Sequence, residues 1–370
     1  YLISEAMFHL GVPTTRALSL VSTGEEVVRD MFYNGNAKPE PGAIVSRLAP
    51  NFLRFGTFEI LTARDETENL RNLTEWTIGK YFPHLTGKDK ILHWYREIVE
   101  RTADLMVEWQ RVGFVHGVMN TDNMSVMGLT IDYGPFSFLD QYDLNFTPNT
   151  TDLPGRRYAF GNQASVAYWN LGRMASAILP LFDKPEPLEQ ALAEYEKIFW
   201  DKYYSMMAGK LGLDSIGEAE RKLISEFEKV LSETGPDMTI FYRLLSELPE
   251  NFPREKIIDF FSKCFYDAPG PSQEKDFLDL IMSYSKRLAK NNRPVSKSRE
   301  IMKKANPKFI LRNYLLHQAI EELEAGSNEL FLKLEAAVLN PYDENSDQFF
   351  VRRPQWANDK AGCSMLSCSS

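Results

Sequence analysis

The sequence predicts an α+β protein: a short strand-containing part over residues 1–56, followed by a much longer, mainly helical part over 57–340. Three observations carry this. Strand-like runs bounded by turn residues are confined to about 16–24 and 42–50, apolar residues recur every three or four positions through most of 57–338, and one compact set of acidic and amide side chains interrupts the helical pattern at 114–134. A chain of 370 residues, 44% apolar and 25% charged, buries a large core and exceeds the usual size of one compact unit, so two lobes are expected. The formal net charge of −9 leaves no excess of cations to displace phosphate counterions, which argues against broad nucleic-acid binding. No apolar run approaches the roughly 20 residues of a membrane span, so no membrane partner is expected.

Taken in order, YLISEAMFHLG (1–11) has helical spacing and stops at Gly11, a good C-cap. After Pro13, ALSLVSTGEE reads as a strand ending at Ser22–Gly24. Asn34, Gly35, Asn36, Pro39 and Pro41 mark 25–40 as a solvated loop, and GAIVSRLAP (42–50) is the next strand. The 57–82 segment reads as an amphipathic helix. Residues 89–112 form the clearest one, with Ile91, Trp94, Tyr95, Ile98, Thr102, Leu105, Trp109 and Val112 on one face and Gly113 at the end. A loop-rich stretch (135–160) follows, then helices over about 162–180, 186–211, 216–234, 237–248, 253–266 and 273–290. A basic connector (Lys286–Lys304) leads to a last helical pair at 308–325 and 327–338, and the tail from Asn340 lacks periodicity, which predicts extended or disordered chain. The chain starts at Tyr1 inside a helical pattern, so a missing natural N-terminus is expected. Three cysteines, Cys264, Cys363 and Cys368, provide neither a disulfide framework nor zinc spacing, which favours a reducing setting.

The chemistry concentrates in FVHGVMNTDNMSVMGLTIDYG (114–134). Asp122, Asn123 and Asp132 are hard oxygen ligands of the kind Mg²⁺ prefers when it also holds nucleotide phosphates, and Met124–Ile131 reads as a short hairpin that returns Asp132 towards Asn123. Asp, Asn and Gly are also ordinary turn formers, and the spacing alone leaves both readings open. Protein kinases place a base, an amide metal ligand and a second aspartate in this order; here HGVMNTDN and DYG match only at the Asp, Asn and Asp-x-Gly positions.

Five segments go further: SEAMFHLGVPTTRALSLV (4–21), PGAIVSRLAPNFLRFGTFE (41–59), HGVMNTDNMSVMGLTIDYGPFSFLD (116–140), GRRYAFGNQ (155–163) and NPKFILRNYL (306–315). Together they resemble the selenoprotein O family, kinase-like protein adenylyltransferases. The final Cys-Ser-Ser is similar too, with Cys368 where eukaryotic members carry selenocysteine. The resemblance implies a protein-kinase-like α+β fold with the end of a small N-lobe at 1–56, a helical C-lobe at 57–340 and a tail at 341–370. It implies transfer of AMP from ATP, bound inverted so that the α-phosphate faces the acceptor, to Ser, Thr or Tyr hydroxyls of proteins. Asp122 would be the base, Asn123 and Asp132 the ligands of Mg²⁺ or Mn²⁺, and Arg47 and Arg54 a clamp on the buried terminal phosphate. The nucleotide-binding lysine and glycine-rich loop would precede Tyr1, with Glu5 a weak substitute for the helix acid, and His116 would be structural. Eukaryotic membership would imply mitochondria; otherwise the cytoplasm is expected. The rival readings are phosphoryl transfer by the same residues, or a silent pseudokinase scaffold or redox protein acting through Cys363 and Cys368.

Overall fold

The computed structural model describes residues 1–30, 35, 37–345, 347–360 and 362–363. Helix α1 (Leu2–His9) buries Leu2, Ile3, Ala6 and Met7, and the chain turns away where Gly11 takes φ +83°, a left-handed conformation that side chains resist. Strands β1 (Arg16–Arg29) and β2 (Lys38–Leu48) form an antiparallel ribbon, with Arg16 opposite Leu48 and Arg29 opposite Lys38. The strands run further than expected. The Ser22–Gly24 signal marks a register shift inside β1 instead of its end, and the prolines at 39 and 41 are accommodated because each strand of a two-stranded ribbon has a free edge. Of the expected turn residues, Asn34 and Asn36 lie outside the described residues.

The helical part opens with two helices where one was expected: α2 (Phe55–Ala63) and α3 (Thr67–Tyr81), separated at Asp65, which has φ +58°. Helix α4 (Lys90–Val112) buries Trp94, Tyr95, Ile98, Thr102, Leu105, Trp109 and Val112, and is closed by Gly113 at φ +75°. It packs against α5 (Gln163–Ile178) and α6 (Glu186–Leu211), which makes it the central support. Next come α7 (Glu218–Thr234) and α8 (Met238–Leu245). The expected 253–266 helix shrinks to α9 (Ile257–Phe261) between two 3₁₀ turns. Helix α10 (Pro271–Leu288) is followed by α11 (Val295–Ala305), inside the segment read as a connector; Pro294 precedes its first turn, and Ser298 and Met302 are buried. Helices α12 (Asn313–Glu324) and α13 (Glu329–Leu339) pack on each other, and α13 also covers α1. Among the described residues no helix is long and apolar enough to cross a membrane.

The described part of the tail corrects the expectation of extended or disordered chain. Pro341 O accepts from Lys308 N and Phe309 N at 2.8 and 3.0 Å, and Tyr342 Oη donates to Leu10 O at 2.7 Å while accepting from Arg111 at 2.6 Å. Phe349 is buried against Phe309, and a short helix α14 (Trp356–Asp359) follows. The segment lacked periodicity because it is held by a few polar anchors and single apolar residues, which leave no repeating pattern. Cys264 and Cys363 are buried free thiols whose pKa values burial raises, the reverse of activation; Cys368 lies outside the described residues.

Glu344 is the tail's main electrostatic anchor, 2.6 Å from Arg243, 2.7 Å from Lys303 and 3.1 Å from Lys308. Burial works to raise its pKa, but hydrogen bonds from the two lysines and the Arg243 charge outweigh it and hold the carboxyl at about 2. A depressed carboxylate contributes stability above its unfolded pKa and loses it as pH falls through the folded value. Glu344→Gln should therefore lower the melting temperature at pH 7 by a few degrees, and thermal melts from pH 5 down to pH 3 should show the gap to the parent protein narrowing; a constant gap would mean that the charge contributes nothing.

Candidate active site

Strands β3 (Phe114–Val115) and β4 (Ser137–Phe138) pair antiparallel, Phe114 with Phe138 and Val115 with Ser137, and the candidate residues lie on the loop between them. Met124–Ile131 does turn back, but not as a hairpin paired with itself. One arm bonds to residues 53–55: Phe55 N donates to Met124 O at 2.9 Å and Val126 N to Leu53 O at 3.2 Å, with Arg54 opposite Ser125. The other arm bonds to residues 13–15, through Thr130 N to Pro13 O at 2.8 Å and Thr15 N to Thr130 O at 3.2 Å. Gly128 closes the turn at φ +67°, where a Cβ would stand 2.7 Å from that of Arg101.

This pairing sets where the predicted residues stand. Asp122 is exposed on a 3₁₀ turn (Thr121–Asn123) and lies over Gly56, whose missing side chain makes room: a Cβ there would be 2.0 Å from Asp122 Oδ1. Asn123 is buried, and its Nδ2 donates to Val118 O at 2.9 Å, which fixes the amide with Oδ1 pointing away from that carbonyl. Asp132 is exposed, sits at φ +58°, and has one carboxylate oxygen 3.9 Å from Arg54 Nη1. Arg47 is half-buried, with its guanidinium 5.2 Å from the Tyr133 ring centroid. Residues 54 and 56 thus touch Asp132 and Asp122 respectively, and Arg47 lies beside the residue that follows Asp132.

Several residues that sequence reasoning missed, or left out of the chemistry, hold this loop. His116 is fully buried: Nε2 donates to Ile131 O at 2.8 Å, Nδ1 faces Val118 N at 3.4 Å, and burial lowers its pKa, so it is a neutral strut as expected. Gln163 Nε2 donates to Phe114 O at 2.9 Å while its Oε1 accepts from His116 N at 3.0 Å. Asn170 Nδ2 donates to Met119 O at 2.8 Å and Asn149 Nδ2 to Gly117 O at 3.1 Å. The available signal was that Gln163 and Asn170 share a face of α5 with Val166, Ala167, Leu171 and Met174, where polar residues are out of place. Glu5 is engaged by β1: its carboxylate takes Arg16 at 2.7 Å and Ala17 N at 2.9 Å.

Among the described residues no group of three or more His, Cys, Asp and Glu side chains gathers into a metal cage. A cation at Asn123 and Asp132 would have one amide and one carboxylate from the protein and would complete its shell with phosphate oxygens and water. That donor set fits Mg²⁺ or Mn²⁺ on a nucleotide.

A family model described as protein adenylyltransferase SelO matches residues 1–338. The chain belongs to the SelO family. Among its curated relatives, the protein nucleotidyltransferase YdiU of Cytophaga hutchinsonii is 55% identical over 371 residues, covering 100% of this chain and 72% of the relative. Those of Aromatoleum aromaticum and Flavobacterium johnsoniae are 47% and 46% identical over 375 and 378 residues, again covering all of this chain and 71% and 72% of the relatives. As a SelO protein adenylyltransferase, the chain is a nucleotidyltransferase, with ATP and protein as its substrates. These relatives are bacterial, so the mitochondrial expectation finds no support.

The contact between Gly56 and Asp122 gives a sharp test. Gly56→Ala forces the Asp122 carboxylate aside, and because that carboxylate is exposed it can swing away without disturbing the core. The rate of adenylyl transfer should fall about tenfold or more while the melting temperature stays close to that of the parent. A parent-like rate would show that the position of Asp122 against Gly56 is immaterial.

Proposed function

We propose that this SelO adenylyltransferase is kinase-like in fold, with a small lobe ending near residue 56, a helical lobe over 57–340 and a tail over 341–370, and that it transfers AMP to Ser, Thr or Tyr hydroxyls of proteins at the 114–134 loop. The observation that carries this reading is the shared contact of one short segment with both aspartates: Arg54 beside Asp132 and Gly56 beside Asp122. Asp122 is the general base. Its exposed carboxylate is open to an incoming polypeptide and takes the hydroxyl proton as that oxygen bonds to the α-phosphorus and pyrophosphate leaves. ATP lies inverted, with its terminal phosphates held by the guanidinium forks of Arg47 and Arg54, each of which can bind two oxygens at once. Asn123 and Asp132 hold Mg²⁺ or Mn²⁺, which when bound neutralises charge building on the phosphates.

Phosphoryl transfer by the same residues is the rival chemistry, and the mass of the product separates the two. Full-length protein incubated with ATP and Mg²⁺ or Mn²⁺ should yield modified protein heavier by one adenylyl group; a phosphoryl-sized adduct would replace this reading with its rival. Asp132→Ala should abolish the adduct, and Asp122→Asn should lower its rate of formation by about 10² or more. Persistence of the adduct in Asp132→Ala would sink the metal assignment. Cys368→Ser should leave the adduct intact, and its loss would favour a redox role for the tail.

A further inference from the structure

We propose that Arg312 and Asn313, at the start of α12, are positioning residues that set the place of Asp132; this rests on the reading of Asp132 as a metal ligand. The side chain of Asp132 is exposed and meets Arg54 only at 3.9 Å, while its backbone stands at φ +58°, a conformation that costs an L-residue energy. Its position is therefore imposed by the chain on either side. Upstream, Ile131 O is held by His116 Nε2 at 2.8 Å. Downstream, two tight turns follow in succession, Gly134 N to Asp132 O at 2.9 Å and Phe136 N to Gly134 O at 2.8 Å, and they carry the strain of Asp132 directly to Phe136. There the chain is clamped, because Asn313 Nδ2 donates to Phe136 O at 3.0 Å.

The neighbouring residue fixes the same exit strand four positions on. Arg312 Nη1 pairs with Asp140 Oδ1 and lies 2.9 Å from Asp237 Oδ2, while its Nη2 donates to Asp237 Oδ1 at 3.0 Å. All four side chains are buried: Arg312 is 3% exposed, Asn313 5%, Asp140 8% and Asp237 0%. Asp237 also caps α8 through Ile240 N at 3.1 Å and accepts from Tyr266 Oη at 3.0 Å, and Met238 N donates to Asp140 O at 3.0 Å. From the tail, Arg353 reaches Asp140 Oδ2 at 3.4 Å. A buried charge cluster with this many bonded partners has one arrangement, so residues 136 and 140 are pinned to a rigid base. Neither Arg312 nor Asn313 touches reacting atoms. They act as partners behind metal ligands do, by removing the freedom of the ligand.

The test uses full-length protein and two readouts: Mn²⁺ binding in the presence of ATP, followed by the spin-resonance signal of free Mn²⁺, and adenylyl-transfer kinetics across a Mn²⁺ series. Melting temperatures are recorded for every variant. Asn313→Ala should raise the half-saturating Mn²⁺ concentration about tenfold and lower kcat. Arg312→Lys keeps the charge but cannot span both carboxylates, and should move the midpoint in the same direction. Asn306→Ala is the control: Asn306 is equally buried and donates to a backbone carbonyl, Lys210 O at 2.9 Å, away from the loop. It should cost comparable stability and leave the Mn²⁺ midpoint unmoved. Parent-like midpoints in both Asn313→Ala and Arg312→Lys, with saturation lost in Asp132→Ala, would overturn the proposal alone. Unchanged Mn²⁺ binding in Asp132→Ala would instead overturn the underlying metal reading.

Discussion

Much of the candidate site depends on where the backbone of residues 124–130 finds its hydrogen bonds. A loop returning through the interior cannot leave its N–H and C=O groups unpaired, and this one bonds to residues 53–55 on one side and 13–15 on the other. The consequence is geometric. In an extended segment alternate residues face opposite ways, so while Leu53 O and Phe55 N pair with the loop, the Arg54 side chain is turned to Asp132 and the Phe55 ring is fully buried. One residue later α2 is under way, and Gly56 has no side chain to collide with Asp122. The ladder that satisfies the loop therefore also delivers an arginine to one aspartate and clearance to the other.

A second set of bonds holds the backbone on the Asp122 side. Gln163, Asn170 and Asn149 each donate an amide N–H to a carbonyl of residues 114–119, and neutral His116 donates to Ile131 O. All these struts are uncharged. On the proposed reading, a cation at these positions would compete for the Asp132 carboxylate and an anion would repel the phosphates, whereas an amide positions the loop with little disturbance of the local field. Charge is used instead further from the loop, in the Arg312–Asp140–Asp237 cluster, where it can be paired and buried without facing a ligand. Helix α5 carries Gln163 and Asn170 and packs on α4, whose clear apolar periodicity leads directly into the site.

What could be read from the sequence follows from the range of the interactions involved. The bounds of α4 and α6 were legible because a periodic buried face and a glycine C-cap are local signals, repeated over many turns. Asp122, Asn123 and Asp132 could be put forward as candidates because they are close in sequence. The partner of the 124–131 arms was not, since backbone bonding to residues 53–55 and 13–15 leaves no mark on side-chain pattern. The same holds for Asn313, which is 177 residues from its acceptor Phe136. Helix α11 was hidden by composition: seven of its eleven residues are polar or charged, and a helix that buries only Ser298 and Met302 resembles a solvated connector. The tail was hidden for the opposite reason, since Tyr342, Glu344 and Phe349 anchor it singly.

The arginines show how burial decides between framework and function when sequence cannot. Arg47, Arg54 and Arg312 all occur in segments shared with the family resemblance, and residue type alone would assign them the same task. Arg312 is 3% exposed and bonded to two carboxylates, so its fork is committed to buried partners and it acts through the framework, not on a ligand. Arg54 has a side chain 36% exposed and lies 3.9 Å from a single carboxylate that is itself 52% exposed, a weak and solvent-screened pairing. Arg47 stacks near Tyr133, and its Nε is buried without a hydrogen-bond partner. A phosphate entering beside Asp132 would meet donors that the fold has not used, in a protein whose overall charge is −9. On the proposed reading, an acidic chain would gain its affinity for phosphate from these two arginines, rather than from a raised positive charge over the whole surface.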